Sequence, residues 1–311
     1  MRNPKLVNII YHISKLYGLK NSLVKPTDIY QPFFILGSGR NGSTLLSSML
    51  NNHSKIIVPL ENYILPYAII KYRLYNFLEW NDLIRLIIAD FDDETQTEFW
   101  ELSFKSFYKQ MKDLPKNERS FRRLYNEINL LYAQQKGYEN KTAWGDKSPH
   151  NIRKIEYIYP IFKNSNYIFL IRDGRAVCNS LIHGKAETFA DHSTIDGATE
   201  LWNICIKKYE WLKKRIPKEN LLFVKYEDLV AAPEEVSKRI LSFLGYKYEN
   251  LEKGRKEKVS KLGFTKSEHH ANTSNEISVN RTAKWKTELT SEEIDQITSR
   301  ITPNLKKYGY I

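Results

Sequence analysis

Two stretches of the chain carry residue types that can hold phosphate. Gly37-Ser38-Gly39-Arg40-Asn41-Gly42-Ser43-Thr44 follows the apolar run Phe33-Phe34-Ile35-Leu36 and has the spacing of a nucleotide phosphate loop, G-x-x-x-x-G-K-[ST]. In such a loop the backbone N–H groups and a helix N-terminus cradle phosphate, a lysine reaches the terminal phosphates, and a Ser or Thr holds Mg²⁺. Here Ser43 stands in the lysine's slot, which argues against hydrolysis of ATP or GTP. The loop can still hold one compact anionic group, with Arg40 as a charged fork inside it.

The second stretch is Ile171-Arg172-Asp173-Gly174-Arg175-Ala176-Val177-Cys178-Asn179-Ser180. It places Arg172 at a strand end and Ser180 about two helical turns later, a cation and a hydroxyl able to grip another phosphate. The first stretch alone could be an ordinary strand-to-helix turn. Two phosphate grips without a triphosphate lysine point to a nucleotide with phosphates on separate positions.

Such residues need a sheet to position them. Phe33–Leu36 reads as a strand, and Ser43–Leu50 as a helix with Leu45, Leu46, Met49 and Leu50 on one stripe. Lys55–Val58 is a second short strand, and Tyr167–Ile171 a buried one followed by a helix opening near Asp173. A helix over about Thr199–Arg215, a strand Leu221–Tyr226 and a helix Pro233–Leu244 continue the alternation. That pattern predicts an α/β, P-loop-like three-layer fold with a central, mainly parallel sheet. Residues 31–311 are expected to form a single domain behind an amphipathic extension over 1–30.

Between about 62 and 140 the chain reads as a helical insertion rich in aromatics: Tyr72, Tyr75, Phe77, Trp80, Phe99, Trp100, Phe104, Phe107 and Tyr108. At helical spacing these read as core. The run Glu252–Lys261 is charge-dense and His269–Arg281 is polar, so a mobile C-terminal lid is expected over about 252–284. A closing helix Ser291–Ile301 should follow, capped by Thr290, with Glu292 and Glu293 where the helix dipole favours negative charge.

The 311 residues hold 48 Lys and Arg against 36 Asp and Glu, a net charge of +12 that favours an anionic ligand, a nucleic acid or an anionic membrane face. No stretch approaches the roughly 20 consecutive apolar residues of a membrane-spanning helix, so a soluble globular protein is expected. Cys178 and Cys205 cannot build a disulfide framework, and no Cys/His cluster has zinc spacing; a cytoplasmic setting is the default. Met1–Leu23 interleaves Arg2, Lys5, Lys15 and Lys20 with Leu6, Ile9, Ile10, Ile13, Leu16 and Tyr17. It is not read as a secretory signal, because His12, Ser14 and Lys15 interrupt the apolar run. It predicts a basic amphipathic helix, with either the protein's own core or a membrane surface on its apolar face.

With both phosphate motifs in order, and with Tyr226-Glu227-Asp228-Leu229 after a third strand, the chain from about Phe33 to Trp285 resembles the sulfotransferase family. That family transfers sulfate from 3′-phosphoadenosine 5′-phosphosulfate, also named 3′-phosphoadenylyl sulfate, without a metal. The resemblance implies that Arg40, Asn41, Gly42, Ser43 and Thr44 bind the 5′-phosphosulfate, that Arg172 and Ser180 bind the 3′-phosphate, and that Tyr226 lines the nucleotide pocket. It also implies that a loop with Thr273 and Ser274 closes over the nucleotide.

Sulfuryl transfer asks for a base for the acceptor hydroxyl and for positive charge near the leaving oxygen. Glu61 lies 21 residues after Arg40 in Val58-Pro59-Leu60-Glu61-Asn62, where the tyrosylprotein and some glycan members place a glutamate base. A solvated loop carboxylate is the alternative for it. His150 in Asp146-Lys147-Ser148-Pro149-His150 is the rival, one residue too far from Lys147 to match the cytosolic branch. Lys147 falls where the family places a lysine beside the bridging oxygen, and Arg40 completes the catalytic set. His53 is expected to cap or pack, and Cys178 to be a packed thiol.

The implied partner is a hydroxyl-bearing acceptor, a glycan, a lipid, a tyrosine or a small molecule, with the aromatic insertion as its wall; a nucleic acid is not expected. Two other readings compete. A metal-dependent P-loop phosphotransferase would need the missing lysine. A basic, non-catalytic nucleic-acid-binding protein would need its cations clustered on one face with exposed aromatics.

Overall fold

The computed structural model describes residues 4–16, 18–93, 100, 102–184, 191–252 and 279–311. The chain packs as two compact units, Met1–Pro32 with Lys55–Ser165, and Phe33–Ser54 with Asn166–Ile311. The described residues contain five strands: β1 (Phe33–Leu36), β2 (Ile56–Ile57), β3 (Ala143–Asp146), β4 (Asn166–Ile171) and β5 (Leu221–Lys225). Every pairing among them described below is parallel.

In the second unit β4 is the middle strand. β1 pairs with it from Phe33↔Asn166 to Leu36↔Phe169, and β5 from Tyr167↔Leu221 to Ile171↔Lys225. β1 is wholly buried and β4 is buried beyond Asn166, as expected of parallel strands covered on both faces. The crossover from β4 to β5 runs through the helices Gly174–Ile182 and Ile195–Lys213. Phe169 stacks on Tyr209 with ring centroids 4.0 Å apart, and Phe223 on Tyr308 at 5.6 Å, so helix Ile195–Lys213 and the C-cap of helix Ser291–Lys307 reach this sheet. β5 ends at Lys225, and Tyr226 opens the next helix, Tyr226–Ala231, rather than closing the strand.

The last helix starts as its sequence dictates. Thr290 accepts from the Glu293 N–H while the Glu293 carboxylate accepts from the Thr290 N–H, a complete capping box. It then runs past Ile301 to Lys307 with Pro303 inside. Ile297, Ile301 and Leu305 are fully buried at four-residue spacing, and that packing carries the helix over the one hydrogen bond the proline removes.

In the first unit β2 pairs with β3, Ile56 opposite Ala143 and Ile57 opposite Trp144. Ala-Trp-Gly-Asp has no β-branched run, so β3 carries little strand signal of its own. Helices Leu65–Leu74, Trp80–Asp93, Lys105–Lys112 and Phe121–Gln135 fill the insertion. Tyr125 is the hub of its core, 5.4 Å from Trp144 and 6.2 Å from Phe162 between ring centroids. Tyr72, Trp80, Trp100 and Phe107 are buried as expected, whereas Tyr75 and Phe77 are 42% and 69% exposed and Phe104 and Tyr108 are half-buried. Tyr75 and Phe77 follow the end of helix Leu65–Leu74, where no helical stripe directs them inward. Phe99 lies outside the described residues.

The N-terminal helix spans Pro4–Ser14. It docks through Tyr11, whose hydroxyl donates to the Glu156 carbonyl at 3.3 Å, and through Ser14, whose carbonyl accepts from Arg73 at 3.3 Å. None of the described helices is long and apolar enough to cross a membrane.

Candidate active site

The phosphate loop, in the second unit, holds three residues with left-handed backbone. Gly39, Arg40 and Gly42 have φ of 73°, 52° and 91°, and Arg40 is the one non-glycine with positive φ among the described residues. Such a conformation costs an L-residue roughly 1–2 kcal/mol. Arg40 is held there by its own contacts: its Nε donates to Ser180 Oγ at 2.9 Å, and its carbonyl accepts from Arg172 Nη1 at 3.0 Å. At Gly42 a Cβ would lie 2.2 Å from the Tyr226 ring, so the ring packs straight onto the loop and excludes any side chain. Gly42 stands at the N-cap of the helix Ser43–Leu50, where a glycine has no side chain to cap it.

Asn41 behaves differently from its neighbours. Its Nδ2 donates to the Leu170 carbonyl of β4 at 2.6 Å and its Oδ1 accepts from the Ser43 N–H at 3.3 Å. The buried side chain anchors the loop to the sheet, so a nucleotide contact from Asn41 would be left to its backbone.

The second motif comes together beside the first. Arg172 follows β4, lies over the Tyr226 ring at 4.6 Å, and donates to the carbonyls of Arg40 and Arg281. Its buried Nε has no hydrogen-bond partner among the described residues, and burial holds the guanidinium below its ordinary pKa. An adjacent anion would relieve both conditions. Asp173 caps the helix Gly174–Ile182 by accepting from the Arg175 N–H, and Arg175 returns a guanidinium to Asp173 while stacking on Trp285 at 4.2 Å. Glu227 accepts from the Asp173 N–H at 3.0 Å and from the Tyr310 hydroxyl at 3.0 Å, fixing the Arg172 junction. The motif Tyr226-Glu227-Asp228-Leu229 contained that glutamate, but nothing in it marked the role.

The first unit holds the proposed chemistry. Lys147 follows β3 with its side chain wholly buried, and its Nζ lies 2.6 Å from Glu61 Oε1. The Tyr63 hydroxyl donates to the other carboxylate oxygen of Glu61 at 3.0 Å, a contact that sequence reasoning missed. His150 packs edge-on against the Tyr63 ring, 4.3 Å between centroids. The loops bearing Glu61 and Lys147 are tied through a buried network: the Asn62 N–H donates to Ser148 Oγ, the Ser148 N–H to Asp146, and the Tyr125 hydroxyl to Asp146 at 2.6 Å. Burial pushes the Asp146 carboxyl above its ordinary pKa, and the hydrogen bonds from Tyr125 and Ser148 pull against that. A carboxylate fixed by an ammonium and a phenol is a positioned proton acceptor.

Arg40, Gly42, Ser43, Thr44, Arg172, Ser180 and Tyr226 thus belong to the second unit, Glu61 and Lys147 to the first. Thr273 and Ser274 lie outside the described residues, as does most of the expected lid. His53 packs: it is buried against Tyr246, its Nε2 3.2 Å from the Lys247 carbonyl. Cys178 is a buried free thiol.

The model of the sulfotransferase family matches residues 32–250, which include both phosphate motifs, Glu61 and Lys147. The chain belongs to the sulfotransferase family. Among curated relatives, it is 24% identical over 282 residues to the protein-tyrosine sulfotransferase of Drosophila melanogaster, covering 89% of this chain and 51% of that protein. Against protein-tyrosine sulfotransferase 2 of Gallus gallus the identity is 22%, covering 89% and 68%. The chain therefore spans about half the length of the Drosophila relative. Among solved structures, the sulfotransferase domain of the Synechococcus PCC 7002 olefin synthase superposes with a TM-score of 0.56 at 21% identity, over 89% of this chain and 98% of that one. The sulfotransferase domain from the curacin biosynthetic pathway gives 0.55 at 22%, over 88% and 98%. The α/β fold expected from the alternation of strands and helices is the fold of these sulfotransferase domains.

Proposed function

We propose that this sulfotransferase-family protein moves a sulfuryl group from 3′-phosphoadenylyl sulfate to an acceptor hydroxyl, releasing adenosine 3′,5′-bisphosphate. The observation that carries this reading is the meeting of Arg40, Arg172 and Ser180 on a left-handed loop that lacks the triphosphate lysine. A cosubstrate with phosphates on two positions suits two such grips. The loop N–H groups and Arg40 hold the 5′-phosphosulfate, Arg172 and Ser180 hold the 3′-phosphate, and Tyr226 lines the pocket. The cosubstrate supplies the activated sulfuryl group.

Glu61 takes the proton of the acceptor hydroxyl as the new O–S bond forms. Its contact with Lys147 supports it over His150, which touches the ring of Tyr63 instead. The Lys147 ammonium offsets charge on the oxygen that leaves phosphate-bound. Tyr63 keeps the carboxylate oriented. This is the chemistry of the glutamate branch of the family.

The curated relatives are named for protein tyrosine, so a tyrosyl peptide is the first acceptor to test, followed by glycans, lipids and small alcohols. Incubation with 3′-phosphoadenylyl sulfate should add the mass of one sulfuryl group to an acceptor, and excess EDTA should not prevent it. Adenosine 3′,5′-bisphosphate should raise thermal stability by about 2–4 kcal/mol when in large excess of its dissociation constant. An equal effect of ATP, or transfer abolished by EDTA, would overturn the reading.

A further inference from the structure

The described side chains of the N-terminal helix are buried on one face only. Tyr11 and Ser14 are shut away, with the Tyr11 ring 4.1 Å from that of Tyr157. Leu6, Ile9 and Ile13 recur at helical spacing on the other side, 44% to 54% exposed, and Leu16 beyond the helix is 83% exposed. The chain then returns past the end of helix Leu65–Leu74. Asn21 exchanges hydrogen bonds with Asn76, and its Nδ2 donates to the Leu78 carbonyl. Between those two anchors stands Phe77, with Tyr75 beside it at 6.2 Å between rings. The aliphatic stripe and the exposed aromatic rings therefore lie on segments of the first unit that are tied together, Arg73 to Ser14 and Asn21 to Asn76. Lys15 and Lys20 are exposed among them, Lys15 lying over the Tyr11 ring at 4.3 Å and Lys20 paired with Glu79.

We infer that this edge docks onto an anionic lipid bilayer, with Leu6, Ile9, Ile13, Leu16 and Phe77 entering the headgroup boundary. Scattered apolar residues need no partner, but large aliphatic and aromatic side chains exposed together on adjoining segments do. The combination with lysines is that of a helix lying in a membrane interface. Charge selects the occupant. The chain carries +12, so a second copy would bring like charge to the contact, whereas anionic headgroups bring the opposite. The inference is independent of the proposed transfer reaction.

The test is sedimentation of the full chain with vesicles of phosphatidylcholine alone or mixed with phosphatidylserine. The wild type should pellet with the mixed vesicles, be released by salt, and stay largely in solution with phosphatidylcholine. Ile9→Glu/Ile13→Glu should lower partitioning at least about tenfold. Leu16→Glu/Phe77→Glu lies outside the helix and gives an independent pair that does not depend on helix stability. Failure of the wild type to pellet with phosphatidylserine, equal binding by both double variants, or salt-insensitive binding to phosphatidylcholine would overturn the inference. So would a wild-type dimer, seen by light scattering, that either pair of substitutions dissociates.

Discussion

Lys147, its side chain closed off from solvent, donates to Glu61 Oε1 across 2.6 Å, while Glu61 keeps 13% of its side chain open. One partner is sealed in and the other retains a route outward, as the base proposed above, which must meet an incoming hydroxyl, requires. The same geometry makes the pair a stability element, because removing one partner leaves the other charge buried without its counter-charge.

Glu61→Gln should therefore do two things. Sulfation should fall by about 10²–10⁴, the usual share of general base catalysis. Stability should fall by on the order of 3 kcal/mol. Glu61→Gln/Lys147→Met should regain much of the stability and none of the activity. Urea denaturation of the two variants beside rate measurements separates the roles. Full activity in Glu61→Gln with a dead His150→Ala would transfer the base to His150.

Tyr125→Phe removes the hydrogen bond that steadies Asp146 and should cost about 1–3 kcal/mol. The pH dependence follows from the raised carboxyl. A folded-state pKa above the unfolded one means that the stability linked to this group is full below the ordinary aspartate value and is lost as pH rises through the folded value. The Tyr125 bond lowers that folded value, so Tyr125→Phe should extend the declining limb to higher pH. Asp146→Asn should flatten it. Denaturation curves across the acid range read both.

Arg172→Ala should weaken binding of adenosine 3′,5′-bisphosphate by roughly 1.5–3 kcal/mol, the worth of a charged hydrogen bond. Arg172→Lys should restore little, since a lysine cannot reproduce a planar fork lying over Tyr226. Titration calorimetry decides it, and unchanged affinity would remove Arg172 from the nucleotide site.

Gly42→Ala and Gly137→Ala form a controlled pair. Both glycines have positive φ, 91° and 77°, but a Cβ at Gly137 meets nothing within 4 Å while one at Gly42 meets the Tyr226 ring. Gly137→Ala should cost about 1 kcal/mol from backbone conformation alone. Gly42→Ala should cost more in thermal denaturation and also weaken nucleotide binding.

Burial pushes the Cys178 thiol up to about 12, and Cys205 is buried as well. Neither should react with iodoacetamide in the native protein at pH 8 to 9, and both should react in denaturant. Because the folded state holds the Cys178 proton more tightly, the associated stability is intact below the ordinary thiol pKa and falls as pH rises toward 12. Rapid labelling of the native protein would contradict the packing.

The readable parts of this protein were those settled by neighbours within a few residues. A glycine-bearing turn between an apolar run and a helical stripe specifies its own backbone, so the loop Gly37–Thr44 was legible before any partner was known. Thr290 with Glu293, and Asp173 before Gly174, announced helix starts because a cap is satisfied within one turn.

What the tertiary structure alone decided are relations between distant residues. Arg40 meets Ser180 across 140 positions and Lys147 meets Glu61 across 86. No local pattern encodes such pairs, so the sequence supplied candidate donors and acceptors without saying which would meet. β3 became a strand because Ile56 and Ile57 offered it a ladder. Phe77 stayed exposed because its backbone neighbours were committed to Asn21, and Pro303 was absorbed because Ile297, Ile301 and Leu305 were buried around it. Propensity and capping act through the chain over a turn or two, whereas burial and ion pairing act through space, and the residues that meet through space are fixed only when the whole chain has packed.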